Sequence, residues 1–107
     1  MITDHYTYRI SWSPNDAEYV ATCAEFPSLS WLDENQVEAL RGIKHLVRDV
    51  IEDLAMTGET VPVPIADQRF SGKFLVRLPP ELHRRLALEA AESGLSLNRL
   101  ASFKLAD

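Results

Sequence analysis

The chain opens with an alternation of apolar and polar residues that is typical of a half-buried β-strand. From Tyr6 to Trp12 the even-numbered positions are apolar and the odd-numbered positions are polar. The sequence SPND then predicts a turn, residues 18–24 predict a returning strand, and FPSLSWL predicts a third short strand after a break at Pro27. Together these segments predict a three-stranded antiparallel meander.

A helical pattern follows the meander. Asn35 is a favourable N-cap, Glu38 is placed to complete a capping box, and Gly58 is placed to end the helix. Its apolar stripe, predicted to lie on one face of the sheet, consists of Val37, Leu40, Ile43, Val47, Val50 and Leu54. In the next segment, TVPVPI, proline alternates with β-branched residues, which favours a strand at the edge of the sheet.

A second alternating stretch, KFLVRL, has no further strand pattern after it. Buried backbone groups without partners cost about 1–3 kcal/mol each, so this strand needs a partner. Its apolar face consists of Phe74, Val76 and Leu78. Its other face consists of Lys73, Leu75 and Arg77.

Two helices are predicted after this strand. Pro80 favours the first helical turn, Gly94 is placed to end that helix, and Ser96 is a favourable N-cap for the second helix, LNRLASFKL. The predicted core positions of the first helix are Leu82, Leu86, Leu88 and Ala90 or Ala91. A strand and two helices are too small to bury a core alone, so we expect this module to pair with a second copy of itself.

The charge differs between the two parts of the chain. The 107 residues have a formal net charge of −5. Residues 1–70 carry five basic and twelve acidic side chains, or −7, whereas residues 71–107 carry six basic and four acidic side chains, or +2. The C-terminal part is therefore suited to approach a polyanion, and the N-terminal part to meet a basic protein.

The composition excludes several classes of protein. No apolar stretch approaches the roughly 20 residues of a membrane helix, so no membrane partner is expected. The sequence MITDHYTYRI lacks the pattern of a secretory signal, so the expected location is the cytoplasm. Cys23 is the single cysteine, which excludes an intramolecular disulfide and a multi-cysteine zinc site. We expect no metal and no cofactor.

Pairing of the C-terminal strand suggests a way to bind DNA. Two copies, antiparallel about a twofold axis, would place the apolar face of the strands over four helices and leave the other face outward. A two-stranded ribbon of this kind fits the major groove of DNA, where basic side chains reach guanine edges. The helix N-terminus at Ser96 would offer N–H groups to a phosphate.

These segments carry a family resemblance. GKFLVRLPPELHRRLALEAAESGLSLNRLASFKL resembles the ribbon-helix-helix DNA-binding proteins. Together with YVATCAEFPSLS and NQVEALRGIKHLVRDVIEDLAMTGETVPVP, it makes the whole chain similar to HicB antitoxins of type II toxin–antitoxin pairs. The resemblance implies an α+β protein whose N-terminal domain, shaped like a reduced ribonuclease H fold, blocks a small basic mRNA-cleaving toxin, HicA. It also implies a C-terminal module that represses its own operon.

The resemblance defines domains and contacts. It implies a toxin-binding domain at 1–65, a linker at 66–71 and a ribbon-helix-helix module at 72–107, which dimerises through the apolar face of the strand. The implied base contacts are Lys73, Leu75 and Arg77. The implied phosphate contacts are the backbone groups of Ser96, Leu97 and Asn98.

Leu75 departs from the family, which usually has a polar residue at this position. A leucine can contact a thymine methyl group but cannot hydrogen-bond to a base edge. An alternative therefore stays open, in which the protein is a dimeric interaction module that uses the ribbon-helix-helix only to oligomerise. Whether dimers assemble further also stays open.

Other residue patterns favour structural roles. Three helical carboxylates are interpreted as a solvated face, because a two-metal site needs carboxylates from several elements: Asp49, Glu52 and Asp53. The three histidines lie on separate elements without ligand-like spacing, so we expect no enzyme activity. Trp12 and Trp31 are predicted to lie in the core, with a toxin-facing surface as the alternative.

Overall fold

The computed structural model describes all 107 residues and divides the chain into two compact units, Met1–Phe70 and Ser71–Asp107. The first unit contains β1 (Tyr8–Ser13), β2 (Glu18–Cys23), β3 (Ser30–Asp33) and α1 (Gln36–Thr57), with short 3-10 turns at Ile2–Asp4 and Ile65–Asp67. The second unit contains α2 (Pro80–Ser93) and α3 (Leu97–Leu105). The predicted α+β class is therefore confirmed, while the functional domain boundaries at 65 and 72 stay a prediction.

The sheet of the first unit is the predicted antiparallel meander, with strand order β1-β2-β3. The register places Trp12 opposite Tyr19, and Tyr19 opposite Asp33 on the third strand. A four-residue turn joins β1 to β2, and Ala17 in that turn has a positive φ of 51°. A left-handed backbone at a residue other than glycine is strained, so this turn carries a small local cost.

Helix α1 begins and ends where the sequence predicts. The Asn35 side chain accepts hydrogen bonds from the N–H groups of Val37 (2.9 Å) and Glu38 (3.0 Å), and Gly58 ends the helix with a φ of 74°. The predicted capping box is wrong, because the N–H of Asn35 donates to the Asp33 carboxylate at 2.8 Å. Asp33 therefore accepts the hydrogen bond from the Asn35 N–H that Glu38 was expected to accept.

One face of the sheet packs against α1 to form the core. The buried residues of this core are Tyr6, Ala21, Cys23, Phe26, Ala39, Ile43 and Val47. The predicted stripe is confirmed except at Val37, which is exposed. Val37 lies about 200° around the helix axis from the buried Ala39, since each residue turns the helix by about 100°. Ala39 was missed because a small side chain adds little to an apolar pattern.

The predicted edge strand at TVPVPI is wrong, because residues 59–64 pair with no strand. Pro62 and Pro64 lack the N–H donors that a ladder needs. The segment is instead anchored by side chains of the first unit. Tyr6 donates its hydroxyl to the Pro62 carbonyl at 2.7 Å, and Pro64 is buried.

The second unit has the predicted caps but very little core. Pro80 is the first residue of α2, Gly94 ends α2 with a φ of 69°, and the Ser96 hydroxyl accepts from the Arg99 N–H at 3.1 Å. Only Ala90 and Leu100 are buried. Of the other predicted core positions, Leu82 and Leu86 are half-buried and Leu88 is exposed, so the prediction is wrong for Leu88. Of the pair Ala90 or Ala91, Ala90 is the buried one.

Candidate functional site

The stretch before α2 pairs with no strand of its own chain, so the strand predicted at 73–78 is not formed within the single chain. Residues 71–79 form no regular element, and every side chain among them is exposed. Phe74 is 76% exposed and Leu75 is 81% exposed, so neither face of the stretch is covered. The outward roles predicted for Lys73, Leu75 and Arg77 stay a prediction.

An open apolar hollow of about 660 Å³ lies between this stretch and the two helices. We call it the apolar hollow. It is lined by Gly72, Lys73, Phe74, Leu75, Val76, Leu78, His83, Leu86, Leu97, Asn98, Ala101, Ser102 and Leu105. The stretch lines the hollow with residues of both predicted faces, since Lys73 and Leu75 accompany Phe74, Val76 and Leu78, and the helices contribute further leucines. Apolar surface of this kind marks a place of association.

The N-terminus of α3 presents backbone donors. The Ser96 hydroxyl accepts a hydrogen bond from the N–H of Arg99, and the Ser96 carbonyl accepts one from the N–H of Leu100 at 3.0 Å. The N–H groups of Leu97 and Asn98 have no partner within the chain. Free N–H groups at a helix N-terminus carry a partial positive charge and favour an anion.

Most basic side chains of the second unit are unpaired. Arg84 lies 4.0 Å from Glu81 and Lys104 lies 3.3 Å from Glu89, and these are its two ion pairs. The basic residues without an acidic partner are Lys73, Arg77, Arg85 and Arg99. Their charge is available to a polyanion, although the guanidinium of Arg99 also lies 5.8 Å from the centre of the Phe103 ring.

Both tryptophans of the first unit lie at its surface, so their predicted core position is wrong. Trp12 is 52% exposed and Trp31 is 42% exposed. Trp12 nevertheless contacts Tyr19 edge to face, with ring centroids 5.1 Å apart. Alternation along the strands indicated the face of the sheet on which these rings lie, but not how far α1 covers that face.

Glu25 forms a polar anchor that the sequence did not indicate. Its carboxylate accepts from the N–H of Thr7 at 2.9 Å, the hydroxyl of Thr7 at 3.2 Å and the N–H of Ile65 at 2.9 Å. Partial burial acts to raise the pKa of Glu25, but the donors of Ile65 and Thr7 outweigh it and hold that pKa below its ordinary value. The anchor ties the segment after α1 to the first strand.

Cys23 and the other carboxylates have ordinary structural surroundings. Burial raises the pKa of the Cys23 thiol, which lies 3.6 Å from Glu25. Asp49 lies 3.3 Å from His45 on the same helix. No three residues among the histidines, cysteine, aspartates and glutamates are grouped so as to hold a metal ion. No helix has the length and apolar character needed to cross a membrane.

The fold and the apolar hollow define a two-unit α+β protein whose second unit buries only Ala90 and Leu100. A sequence model of the HicB family matches residues 56–105, from the end of α1 through α3. The chain is therefore similar to the HicB family over this segment, which is a little under half of its length. No curated protein and no solved structure matches the chain significantly.

Proposed function

We propose that this protein is the antitoxin of a type II toxin–antitoxin pair and acts in the cytoplasm by binding alone, without catalysis. Its first unit, of reduced ribonuclease H type, binds and neutralises a basic HicA-like mRNA-cleaving toxin. Its second unit dimerises as a ribbon-helix-helix module and binds operator DNA to repress its own operon. The observation that carries the proposal is the unpaired, exposed stretch 73–78 before two capped helices, within the segment that matches the HicB family.

The lack of a core in the second unit supports dimerisation. Two buried residues cannot hold 37 residues in a fixed structure, since small domains need a larger core or a partner. A second copy would pair its extended stretch with the first, satisfying the backbone groups of both. The paired strands would place Phe74, Val76 and Leu78 in the apolar hollow.

The same pairing accounts for DNA binding. With the apolar side chains turned inward, Lys73, Leu75 and Arg77 face outward, where a ribbon contacts the major groove. The free N–H groups of Leu97 and Asn98 then supply phosphate contacts. Ion pairs neutralise neither Lys73 nor Arg77.

The DNA-binding part is tested with Arg77→Ala. Loss of one specific base contact costs about 1–3 kcal/mol, so operator affinity should fall by about 5-fold to 150-fold. Arg85→Ala is a matched control, because it removes the same charge from an exposed, unpaired residue of α2 that does not line the apolar hollow. Equal operator affinity of the two variants in a fluorescence anisotropy titration would contradict the assignment of the ribbon as the reader.

The toxin-binding part is tested in a cell-free translation reaction to which the purified toxin is added after mixing with this protein. An equimolar amount of the full-length protein should keep the mRNA intact and translation active. Truncation to residues 71–107 removes the acidic unit and should abolish this protection. Protection by the truncated chain would show that the first unit is not the neutralising part.

Leu75 supports a second candidate function, in which the ribbon serves only for dimerisation. An exposed leucine at the centre of the outward face supplies no hydrogen bond to a base. Binding through phosphates weakens steeply with salt, so the two functions separate at low ionic strength. A dimer that binds no operator DNA even there supports the second function.

A further inference from the structure

Four elements of the first unit meet at one end of its sheet. β1 ends at Ser13, β2 begins at Glu18, and β3 ends at Asp33 just before α1. The antiparallel register brings these points together, because Ser13 lies opposite Glu18 and Tyr19 lies opposite Asp33. We call this the hairpin end of the sheet.

Three aromatic residues share one face of the sheet at the hairpin end. Trp12 lies opposite Tyr19, and Trp31 is two residues before Asp33, so its side chain points to the same face. Diagonal neighbours on a sheet lie about 7–8 Å apart, within reach of aromatic rings. We call Trp12, Tyr19 and Trp31 the aromatic platform. Both of its tryptophans are exposed.

Gly42 of α1 fixes the position of the Trp31 ring. A Cβ atom at Gly42 would lie only 2.0 Å from Nε1 of Trp31, so the ring occupies the space of the missing side chain. A glycine inside a helix is less favourable than alanine by about 1 kcal/mol, so the helix itself gains nothing from it. The Trp31 ring is held against the helix and is 42% exposed. Because the ring is already fixed, a partner that binds to it loses less entropy.

Acidic residues outnumber basic ones at the hairpin end. Between Arg9 and Arg41 the chain has six acidic residues and no basic residue or histidine. Five of the six lie at the hairpin end and form what we call the acidic rim: Asp16, Glu18, Asp33, Glu34 and Glu38. Only Glu38 has an ion-pair partner, Arg41 at 3.0 Å. The rim therefore gives this end of the sheet a net negative charge, with Asp33 on the face of the platform and Glu18 on the opposite face.

We propose that the aromatic platform and the acidic rim together bind the basic face of the toxin. This inference rests on the proposed function for the identity of the partner. Lysine and arginine side chains of the toxin lie over the indole rings, where cation–π attraction adds to apolar burial. The rim carboxylates pair with the same cations and with their neighbours. Tryptophan is enriched among residues that dominate binding energy, and a fixed ring suits that role.

Titration calorimetry of the full-length protein against the purified toxin tests the platform. Trp12→Ala and Trp31→Ala should each raise the Kd by about 30-fold or more, since truncation of a dominant interface residue costs about 2 kcal/mol or more. Phe70→Ala is the control, because it removes an exposed aromatic ring of the first unit outside the platform. It should leave the Kd within about twofold.

A second variant separates the platform from stability. Gly42→Ala keeps every aromatic residue but displaces the Trp31 ring by the overlap at its Nε1 atom. Binding should weaken by about tenfold, with a thermal midpoint close to that of the wild type because alanine favours the helix. Unchanged affinity of Gly42→Ala together with unchanged affinity of Trp31→Ala would overturn the inference.

Charge reversal tests the rim. Glu34→Lys with Glu38→Lys alters the net charge as much as the control pair, Glu52→Lys with Asp53→Lys near the end of α1. All four residues are exposed. The rim pair should lower the association rate by about tenfold or more, and the control pair by much less. The difference should shrink at high salt, because the interaction is screened. If both pairs lowered the association rate equally, the effect would come from net charge alone, and the proposed role of the rim would be wrong.

The outcomes distinguish this inference from the proposed function. If the wild-type protein binds the toxin and the platform and rim variants bind equally well, the docking surface is wrong and the antitoxin function stands. If the wild-type protein does not bind the toxin, the antitoxin function is wrong and the inference falls with it. Selective loss in the platform and rim variants supports both.

Discussion

Substitution of Phe74 by alanine should dissociate the dimer. Phe74 is the largest side chain on the apolar face of the extended stretch, and it is exposed in the single chain. Full burial of a phenylalanine contributes about 1.5–3 kcal/mol. A twofold dimer buries two copies, so the substitution should cost about 3–6 kcal/mol, or roughly two to four orders of magnitude in the dimer Kd.

Sedimentation equilibrium over a wide range of protein concentration measures this Kd. Leu88→Ala is the matched control, because Leu88 is also exposed and apolar but does not line the apolar hollow. It should leave the dimer intact. Circular dichroism of the same samples should show that helix content falls with dissociation for Phe74→Ala. A dimer of unchanged affinity would refute the ribbon, and so would a stable wild-type monomer with both helices formed.

Three further predictions concern the first unit. Burial, above all, raises the pKa of Tyr8 to about 12, whereas its ordinary pKa is 10.0. Because the unfolded chain loses this proton first, the free energy of unfolding should fall as pH rises from about 10 to about 12. An ultraviolet titration that finds Tyr8 ionising near pH 10 would contradict this. Glu25→Gln should lower the free energy of unfolding by about 1–2 kcal/mol in urea, because the N–H groups of Thr7 and Ile65 lose a charged acceptor. Since the pKa of Glu25 is held below 4.5, the stability it adds is present above that pH and is lost as pH falls through the folded value; a variant with the same acid sensitivity as the wild type would contradict this. Ala17→Gly should stabilise the protein by up to about 1 kcal/mol by relieving its left-handed backbone, and a lower thermal midpoint would contradict this.

Local signals explain which parts of the fold were predictable. Asn35, Gly58, Gly94 and Ser96 act within one helical turn of their own position, so their caps can be identified without knowing what packs nearby. The apolar alternation in β1 and the apolar spacing in α1 are also local signals, because each follows the repeat of its own element. Element type and order were therefore predictable for the three helices and the three-stranded sheet.

Tertiary placement explains what was missed. The donors bound by Glu25 are 18 and 40 residues away in sequence, and no local pattern links them. The exposure of Trp12 depends on where α1 stops covering the sheet, which alternation cannot indicate. The closeness of Gly42 to Trp31 likewise depends on how the helix crosses the strand. In the second unit, alternation predicted a strand at 73–78 that the single chain does not form, so its pairing with a second copy stays a prediction.

The exposed apolar residues of the two units have different physical meanings. The first unit has a closed core between sheet and helix, so its fold does not require Trp12 or Trp31 to be covered. The second unit buries only Ala90 and Leu100, so its own stability requires the apolar hollow to be filled. A surface that the fold needs covered suits a permanent partner, and a second copy of the chain is always available for that role. A surface that the fold leaves exposed suits a partner that binds and leaves, and the acidic rim limits that partner to a basic one.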